Sequence, residues 1–533
     1  MTGAAALPND IDTLKALLLE RDRVILDRDR IIREITNKLS WSEEKLQALE
    51  LRYFGKKSEK YTPGEDKQNR LFDEAEAYAD DSAQGIIEKV AVPAHERKKR
   101  GRKPKIDTLP VHEVIHELPD HDRACTCCGE TRPEIGEDRT SEFDLVPAHV
   151  MKIVHVRRKY GPCTCESFAA SGSRSIIVAP GPAKVVPGSD FTNRTIALFL
   201  TGKFADAVPF YRMAKILDRA GLVISRAALC KLAMSVGRSV ADLIDLMNRD
   251  IVRSPVMLMD ETTLKVLRNG EGPPGKSYMW VALGYLDGKP IHRFAYHAGR
   301  DGAFADTLLK GFSGYLQTDG YGGYHHLAGV GGIIHVSCFA HMRRKFVEAW
   351  EVAGKKGIAK EAIDLIARIY RIENELRGSM EAGTIDASVF LAARKERIGK
   401  VFGEFRTWLM DRALVVAPEN KLGKAIAYAQ HEFDDAIRFI EHPDLRPDTN
   451  LVENSIRPFV IGRKNYLFSG SPRGAHTSAG LYSLIQTAKA NGHEPFAYLC
   501  YLFDRLPLCT TDQEREALLP YRLDPSTSKA YVA

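Results

Sequence analysis

The chain has 533 residues, and 76 lysine or arginine residues against 70 aspartate or glutamate residues give it a formal net charge of +6. This length predicts several domains with ample material for a core. A content of 44% hydrophobic and 27% charged residues excludes a fibrous, collagen-like or wholly disordered chain. The longest stretch without Asp, Glu, Lys or Arg, residues 320–342, contains six glycines and four histidines, which disfavours a membrane span. The N-terminus lacks the basic and apolar segments of a secretory signal, so we expect a cytoplasmic protein.

The first predicted element is a long helix over residues 11–51, within an N-terminal segment 1–60. Apolar residues recur there every seven positions, which predicts a coiled coil that makes the protein at least a dimer. The alternative is an amphipathic helix that packs within its own chain. The repeat comprises Ile11, Leu18, Ile25, Ile32, Leu39 and Leu46. The partner positions of the heptad are only half apolar: Leu14, Arg21, Arg28, Ile35, Ser42 and Leu49.

A charged linker follows over residues 61–108, first acidic and then strongly basic. Seven of the nine residues from Arg97 to Lys105 are lysine or arginine. An extended Arg-Gly-Arg core suits the narrow, electronegative minor groove of DNA, so Arg100, Arg102 and Lys103 are candidate DNA-binding residues. The alternative is a solvated basic tail that contacts phosphates without sequence preference.

Five of the nine cysteines lie close together within residues 109–180, in the segments CTCCGE and CTCES. Two such pairs about 35 residues apart predict a small domain with a structural, tetrahedral zinc site. The expected ligands are Cys125, Cys128, Cys163 and Cys165, with Cys127 as an alternative to Cys128. A cluster of free buried thiols is the alternative interpretation. The following segment, residues 181–250, predicts helices around Gly221, with Ser225 capping the second, in the manner of a helix-turn-helix.

Residues 251–350 predict a sheet whose strand ends carry acidic side chains. The apolar run 256–259 predicts a buried strand that ends in Asp260 and Glu261. The strand GYLQT leads into Asp319. The other predicted strands are 279–285, 291–297 and 332–338, with a helix at about 302–310 before GYLQT. Three strands, a helix, and two further strands form the order of a ribonuclease-H-like core, in which the first and fourth strands are adjacent and their carboxylates meet.

A third carboxylate, Glu453, begins the helix that follows a helical stretch over residues 351–445. Val452, Ile456 and Phe459 give this helix an apolar face, and Pro458 is expected to kink or end it. Phosphodiester chemistry with two divalent ions needs a few carboxylates, which predicts Asp260 as a bridge, with Asp319 and Glu453 each holding one ion. Structural alternatives are a turn at Asp319 and a capping box between Glu453 and Asn450. Candidate contacts to the DNA backbone are Arg457, Arg463, Lys464 and Arg473.

Several blocks of the chain resemble transposases of the insertion sequence 66 family. They include MDETTLKVL, LQTDGYGGY, CFAHMRRKF and, most specifically, NLVENSIRPFVIGRKNYLFSGSPRGA. CTCCGE and KYGPCTC are similar to the family's zinc-binding domain, with CxC in place of CxxC in the second pair. In the CxAH block, Cys338 and His341 are expected to shape the end of the fifth strand, with metal binding as a less favoured alternative.

This resemblance implies a multidomain α/β protein: a ribonuclease-H-like mixed-sheet catalytic core with an all-α insertion, preceded by a coiled coil, a small zinc-binding domain and a helical DNA-binding segment. It implies an Asp-Asp-Glu triad at Asp260, Asp319 and Glu453 that uses Mg²⁺ or Mn²⁺ and structural Zn²⁺. The expected partners are the element's terminal inverted repeats, target DNA and accessory proteins of the same element. The expected boundaries of the remaining segments are 251–350 and 446–510 for the core, 351–445 for the insertion and 511–533 for the tail.

The predicted reaction of this bacterial, nucleoid-associated enzyme is hydrolysis that exposes a 3′-hydroxyl, followed by transfer of that strand to target DNA. Two alternatives from other functional classes stay open at this point. One is a DNA-binding regulator that retains an inactive nuclease fold. The other is a nuclease that cleaves DNA and never joins it.

Overall fold

The computed structural model describes residues 10–54, 150–160, 177–267, 275–300, 302–320, 323–327 and 329–532. The linker cations Arg100, Arg102 and Lys103 and the cysteines of the predicted zinc site lie outside these ranges. All elements named below belong to one unit of the chain. No helix within the described ranges is both long and apolar enough to cross a membrane.

The N-terminal repeat forms one continuous helix, α1 (Ile11–Phe54). Among the repeat residues whose side chains are described, Ile11, Leu18, Ile25 and Leu46 are all exposed. Among the described residues these four apolar side chains are not covered, in contrast to the alternative interpretation, in which the apolar face of the helix packs within its own chain.

A short two-stranded ribbon and four helices follow. Strands β1 (Lys159–Tyr160) and β2 (Ile177–Val178) pair antiparallel. The helices are α2 (Asn193–Phe204), α3 (Phe210–Arg219), α4 (Arg226–Ser239) and α5 (Ala241–Ile251). Gly221 turns the chain between α3 and α4 with φ +85°, a conformation that favours glycine. Ser225 caps α4 by accepting a hydrogen bond from the Ala228 N–H, as the sequence predicts.

Five strands form one mixed sheet. They are β3 (Val256–Val266), β4 (Gly275–Leu286), β5 (Lys289–His297), β6 (Gly314–Thr318) and β7 (Ile333–Ser337), with the short helix α6 (Gly302–Leu308) before β6. Their spatial order is β5-β4-β3-β6-β7. The first three strands are antiparallel, and β6 runs parallel to both β3 and β7. The first and fourth strands are therefore adjacent, as the sequence analysis expects.

The first strand is longer than its apolar run, and the prediction that it ends at Asp260 is wrong. Beyond Asp260 the strand continues to Val266, because β4 pairs with it over its whole second half. Only the pairing with β6 stops early, at Leu258 and Gln317. Asp260 thus lies in mid-strand, at the point where the β6 side of β3 becomes free of backbone pairing.

Helices fill the chain after the sheet, as predicted. They are α7 (Phe339–Val352), α8 (Ala359–Glu381), α9 (Ala387–Val415) and α10 (Lys421–Ala436). A buried ion-pair cluster fastens this insertion to the segment that follows it. Glu373 of α8 accepts hydrogen bonds from Arg377 and from Arg394 of α9, and the two guanidinium groups also bind the carbonyl oxygen of Leu445. Because these groups are buried, the chain just before Glu453 is held by charge-assisted bonds.

The last helices are α11 (Asn450–Tyr466), α12 (Pro472–Ala490), α13 (Pro495–Arg505), α14 (Asp512–Glu516) and α15 (Pro525–Val532). The expectation that Pro458 ends or kinks the chain soon after Arg457 is wrong in its stronger form, because α11 continues to Tyr466. The buried residues Val452, Ile456 and Phe459 lie on both sides of the proline, and α11 packs on β3 and β4. This packing compensates for the backbone hydrogen bond that proline cannot make.

Candidate active site

Two of the three predicted carboxylates are brought to the same level by strand pairing. β3 and β6 are parallel, and Leu258 pairs with Gln317 at the end of their ladder. Two further residues along each strand lead to Asp260 and Asp319. The register therefore sets Asp260 beside Asp319, in the gap where the two strands stop pairing.

The third carboxylate reaches this edge through the end of the neighbouring strand. Cys338 follows β7 and is the N-cap residue of α7. The Phe339 N–H donates to the carbonyl oxygen of Pro447, and Thr449 Oγ1 lies 3.3 Å from Cys338 Sγ and 3.4 Å from Glu453 Oε1. Because β7 is parallel to β6, these contacts fix the start of α11 at the sheet edge where Asp319 lies.

The same contacts answer two questions left by the sequence. The N-cap of α11 is Thr449, without a side-chain capping bond, so the capping box between Asn450 and Glu453 is wrong. Cys338 is buried, and burial together with the charges of Asp448 and Glu453 raises the pKa of its thiol to about 12. The contact between Cys338 Sγ and Thr449 Oγ1 links the end of β7 to the start of α11, which favours the structural role expected for this residue. His341 Nε2 lies 3.9 Å from Glu453 Oε1.

Asp260 is within electrostatic reach of both other carboxylates. The pKa of Asp260 is raised to about 8, chiefly by burial and further by the negative charges of Glu261, Glu453 and Asp319. A carboxyl group that is difficult to ionise next to other carboxylates is relieved by a bound cation, and oxygen donors are what Mg²⁺ prefers. The donor set therefore fits a divalent ion. Within the described ranges no three His, Cys, Asp or Glu side chains are already grouped as a metal site.

A fourth acidic residue, Glu261, is held in place by hydrogen-bond partners that the sequence analysis did not identify. Its side chain is 1% exposed and accepts hydrogen bonds from Arg300 and from the buried Tyr324. Arg300 Nη2 also lies 3.8 Å from Asp319 Oδ2, so one guanidinium links the middle of β3 to the end of β6. Burial raises the pKa of Glu261, while Tyr324 and Arg300 oppose that rise. Only its place within the block LQTDGYGGY marked Tyr324, and no periodic pattern marked Arg300.

Buried polar contacts also hold the end of β6. Thr318 Oγ1 lies 2.8 Å from the carbonyl oxygen of Asp319 and 2.9 Å from His335 Nε2, and His335 Nδ1 lies 2.8 Å from Asp435 Oδ2. Next to Asp319, a Cβ atom added to Gly320 would lie 2.0 Å from the hydroxyl oxygen of Tyr428. The strand end is therefore closely packed against α10, which is more than an ordinary exposed turn requires.

The four candidate DNA cations of this region divide into two kinds. Lys464 and Arg473 are exposed, whereas Arg457 and Arg463 are partly buried. Arg463 Nη1 lies 3.1 Å from the hydroxyl oxygens of both Thr262 and Thr263, so this side chain braces the second half of β3. The structure thus leaves Lys464 and Arg473 most accessible to a phosphate backbone.

Comparison with known proteins identifies the family. The sequence profile described as "Transposase IS66 family" matches residues 188–477, which is more than half of the chain and includes all three carboxylates. The chain belongs to the IS66 transposase family. The profile of the IS66 C-terminal element follows at residues 483–521. Toward the N-terminus, a profile described as "Transposase C of IS166 homeodomain" matches residues 41–114, and the IS66 zinc-finger binding domain matches residues 122–166.

Relatives of this IS66 family member occur in Sinorhizobium fredii. The chain is 28% identical over 552 aligned positions to the uncharacterized protein y4qI, with 98% of each chain covered. It is 30% identical over 427 positions to the uncharacterized protein y4jD, with 78% of this chain and 80% of the relative covered. The zinc-finger match supports Zn²⁺ binding between residues 122 and 166, the span that holds all five clustered cysteines.

Proposed function

We propose that this IS66 family member is a divalent-metal-dependent Asp-Asp-Glu transposase on a ribonuclease-H-like core. The observation that carries the proposal is the convergence of three acidic residues from distant parts of the chain: Asp319 and Glu453 lie close enough to Asp260 for their charges to help raise its pKa. The strand order β5-β4-β3-β6-β7, with its antiparallel and parallel pairs, supports this assignment of the core.

In the proposed mechanism Asp260, Asp319 and Glu453 hold Mg²⁺ or Mn²⁺. Bound ions of this kind acidify the attacking water or 3′-hydroxyl and stabilise the leaving oxygen of a phosphodiester. Arg300 and Tyr324 occupy the carboxylate of Glu261 with hydrogen bonds, which would keep it from competing for the ions. Lys464 and Arg473 contact the DNA backbone.

The decisive experiment measures cleavage and joining of DNA that carries the ends of the element. We expect the parent protein with Mg²⁺ to nick the ends at the 3′ strand and to produce joined strand-transfer products. Asp260→Ala and Glu453→Gln should lose both activities and retain end binding, since Glu453→Gln removes one charge and little volume. Asp411→Asn, a change of carboxylate to amide at an exposed position of α9, is the control. Undiminished cleavage by Glu453→Gln would show that the wrong carboxylate was assigned.

The same assay separates the two competing functions. Cleaved ends without any joined product would favour a nuclease that never transfers strands. Binding without cleavage in the parent protein would favour a DNA-binding regulator. Either outcome would overturn the proposed transposition reaction while leaving membership of the family unchanged.

For the zinc site we propose Cys125, Cys128, Cys163 and Cys165 as the ligands, with Cys127 in place of Cys128 as the alternative. Four thiolates complete a tetrahedral structural zinc site. Serine replacement of each true ligand should lower the zinc content of the purified protein, and replacement of the fifth cysteine should not. Retention of zinc by both Cys163→Ser and Cys165→Ser would refute the assignment.

We further propose that α1 pairs with a second copy of the chain as a coiled coil. The support is the exposure of its repeat residues Ile11, Leu18, Ile25 and Leu46 over a helix of 44 residues. Changing Leu18 and Ile25 to lysine together should convert dimers to monomers in analytical ultracentrifugation. Dimers of unchanged stability would show that α1 does not pair.

The remaining expectations concern where the protein acts and with which partners. We propose that it works at the bacterial nucleoid in the cytoplasm, on the terminal inverted repeats of its own element and on target DNA. Basic residues of the linker, including Arg100, Arg102 and Lys103, would add contacts to DNA phosphates. Accessory proteins of the same element are further proposed partners.

A further inference from the structure

A cleft of about 790 Å³ lies outside the carboxylate site, and nothing above assigns it a role. Its walls come from α4, α5, α6, α12 and β5. β5 is the outermost strand of the sheet, separated by β4 from the strand that carries Asp260. The cleft therefore lies between α4 and α5 on one side and, on the other, the edge of the sheet that is opposite β6 and β7.

The rim of this cleft is strongly basic. Six cationic or ionisable basic side chains line it against a single carboxylate, Asp245: Arg238, Arg249, Arg293, Lys310, Arg473 and His476. Arg249 forms an ion pair with Glu516. Arg238, Lys310 and Arg473 are exposed, and in the part of the chain that the structure describes none of the three has a carboxylate within 4 Å. Several cations without acidic partners around one concavity attract an anionic ligand.

One of these cations, Arg293, is largely withdrawn from water. Burial lowers its pKa to about 10, with Asp245 opposing the shift. Its guanidinium donates hydrogen bonds to Asn248 Oδ1 and to the carbonyl oxygen of Phe294, both of which are uncharged acceptors. A guanidinium held by neutral groups keeps most of its charge uncompensated, and that charge is available to a phosphate.

The floor of the cleft has a different chemistry. Ala295, Tyr296 and Leu308 line it, and Tyr296 packs edge-on against His476 with ring centroids 5.0 Å apart. A site for inorganic anions alone has no use for an apolar, partly aromatic floor, whereas a nucleobase is flat and apolar on its faces. A volume of this size holds a small ligand or a short piece of a chain, and it is too small for a duplex.

We propose that this cleft binds an unpaired segment of DNA, with its phosphates on the basic rim and a base against the apolar floor. The proposal rests on the proposed DNA-processing function, because cleavage and joining at a DNA end involve strands that leave the duplex. A strand in this cleft would pass between helices α4 and α5 and the outermost strand of the catalytic sheet, β5. The cleft would thereby hold unpaired DNA next to the domain that processes it.

The test uses the full chain and a single-stranded oligothymidylate of about ten nucleotides, a length within the usual site size of single-strand clefts. Binding is measured by fluorescence anisotropy over a range of salt concentrations. Arg238→Gln combined with Lys310→Gln should weaken binding about tenfold and reduce the slope of log affinity against log salt by about 1.4, for two lost phosphate contacts. The matched control combines Lys356→Gln with Lys395→Gln, which removes the same charge from exposed positions outside the cleft. Equal affinities for the two double variants would overturn the proposal.

A second probe tests the apolar floor. An oligonucleotide of the same length and charge that lacks bases should bind the parent protein at least about tenfold more weakly, given the usual contribution of base stacking. Equal binding of the two probes would show a phosphate site only and would overturn the proposed base contact. Neither measurement requires cleavage, so failure here leaves the transposase proposal intact. Loss of end cleavage in a protein that still binds the oligonucleotide would refute only the proposed function.

Discussion

Replacing Asp260 by asparagine should stabilise the protein in the absence of metal, although it should abolish cleavage. Burial and three neighbouring carboxylates raise the pKa of Asp260 from 3.8 to about 8. Asparagine has nearly the same shape, carries no charge, and its oxygen can still accept the hydrogen bond that the Glu261 N–H donates to Asp260 Oδ1. The variant therefore removes an electrostatic cost while it keeps the local geometry.

The pH dependence gives this prediction its sign and size. Between about pH 4 and about pH 8 the folded protein keeps the Asp260 proton that the unfolded chain releases. The free energy of unfolding therefore falls by up to about 1.4 kcal/mol per pH unit. The stability that the protonated Asp260 contributes is fully present below the pKa that this group has in the unfolded chain. It is lost as the pH rises through the pKa of Asp260 in the folded protein. In a rigid site, a pKa shift of roughly four units would lower the free energy of unfolding by about 6 kcal/mol at high pH. Rearrangement of side chains and entry of water reduce this cost, so we expect Asp260→Asn to raise the free energy of unfolding by at least about 2 kcal/mol.

The assay is thermal unfolding of the parent and of Asp260→Asn in the presence of a chelator, at about pH 5 and about pH 8.5. Most of the expected change in stability with pH falls between these two values. The variant should melt several degrees higher at the upper pH, and the difference should shrink toward the lower pH. Adding MgCl₂ should raise the melting temperature of the parent mainly at the upper pH, because ions compete with protons for the carboxylates. Asp411→Asn should behave as the parent does throughout. A variant that melts at or below the parent at the upper pH would refute the reasoning.

Three further predictions concern a buried ion-pair cluster, the end of β6 and the basic linker. Glu373→Gln should lower the free energy of unfolding by about 3 kcal/mol in chemical denaturation, because it leaves two buried guanidinium groups without their carboxylate; Glu396→Gln, from an exposed pair, should change it by less than about 0.5 kcal/mol. Gly320→Ala should destabilise the protein by about 1–3 kcal/mol and slow cleavage, whereas Gly378→Ala, whose Cβ meets nothing within 4 Å, should do neither. Alanine replacement of the lysines and arginines in residues 97–105 should weaken binding to many DNA sequences alike and flatten its salt dependence; an unchanged slope would exclude DNA contact there.

The sequence was sufficient to predict most of the candidate site, because its acidic side chains follow apolar runs that are recognisable over a few residues. An aspartate directly after four buried apolar residues, and another after the strand GYLQT, are visible without any structure. The amphipathic pattern of α11 likewise placed Val452, Ile456 and Phe459 on a buried face, which is confirmed. Such patterns are local, so a single sequence is sufficient to predict them.

Other features of the site depend on contacts between residues far apart in the chain. The length of β3 beyond Asp260 is set by pairing with β4, and the survival of α11 past Pro458 is set by packing on the sheet. The links from Arg300 to Glu261 and Asp319 span 39 and 19 residues of sequence, and no periodic pattern connects them. The basic cleft draws its walls from five separate elements and is likewise absent from any local pattern.

The amino-acid sequence alone determined the order of helices and strands, the chain positions of the acidic residues and the pairs of cysteines, because propensity and periodicity act over a few residues. Tertiary structure decided which of those acidic residues influence one another, and how strongly. The raised pKa of Asp260 arises from burial and from charges contributed by β3, the end of β6 and the start of α11. Burial and electrostatic coupling depend on distance in space, and only the folded chain brings these three segments together.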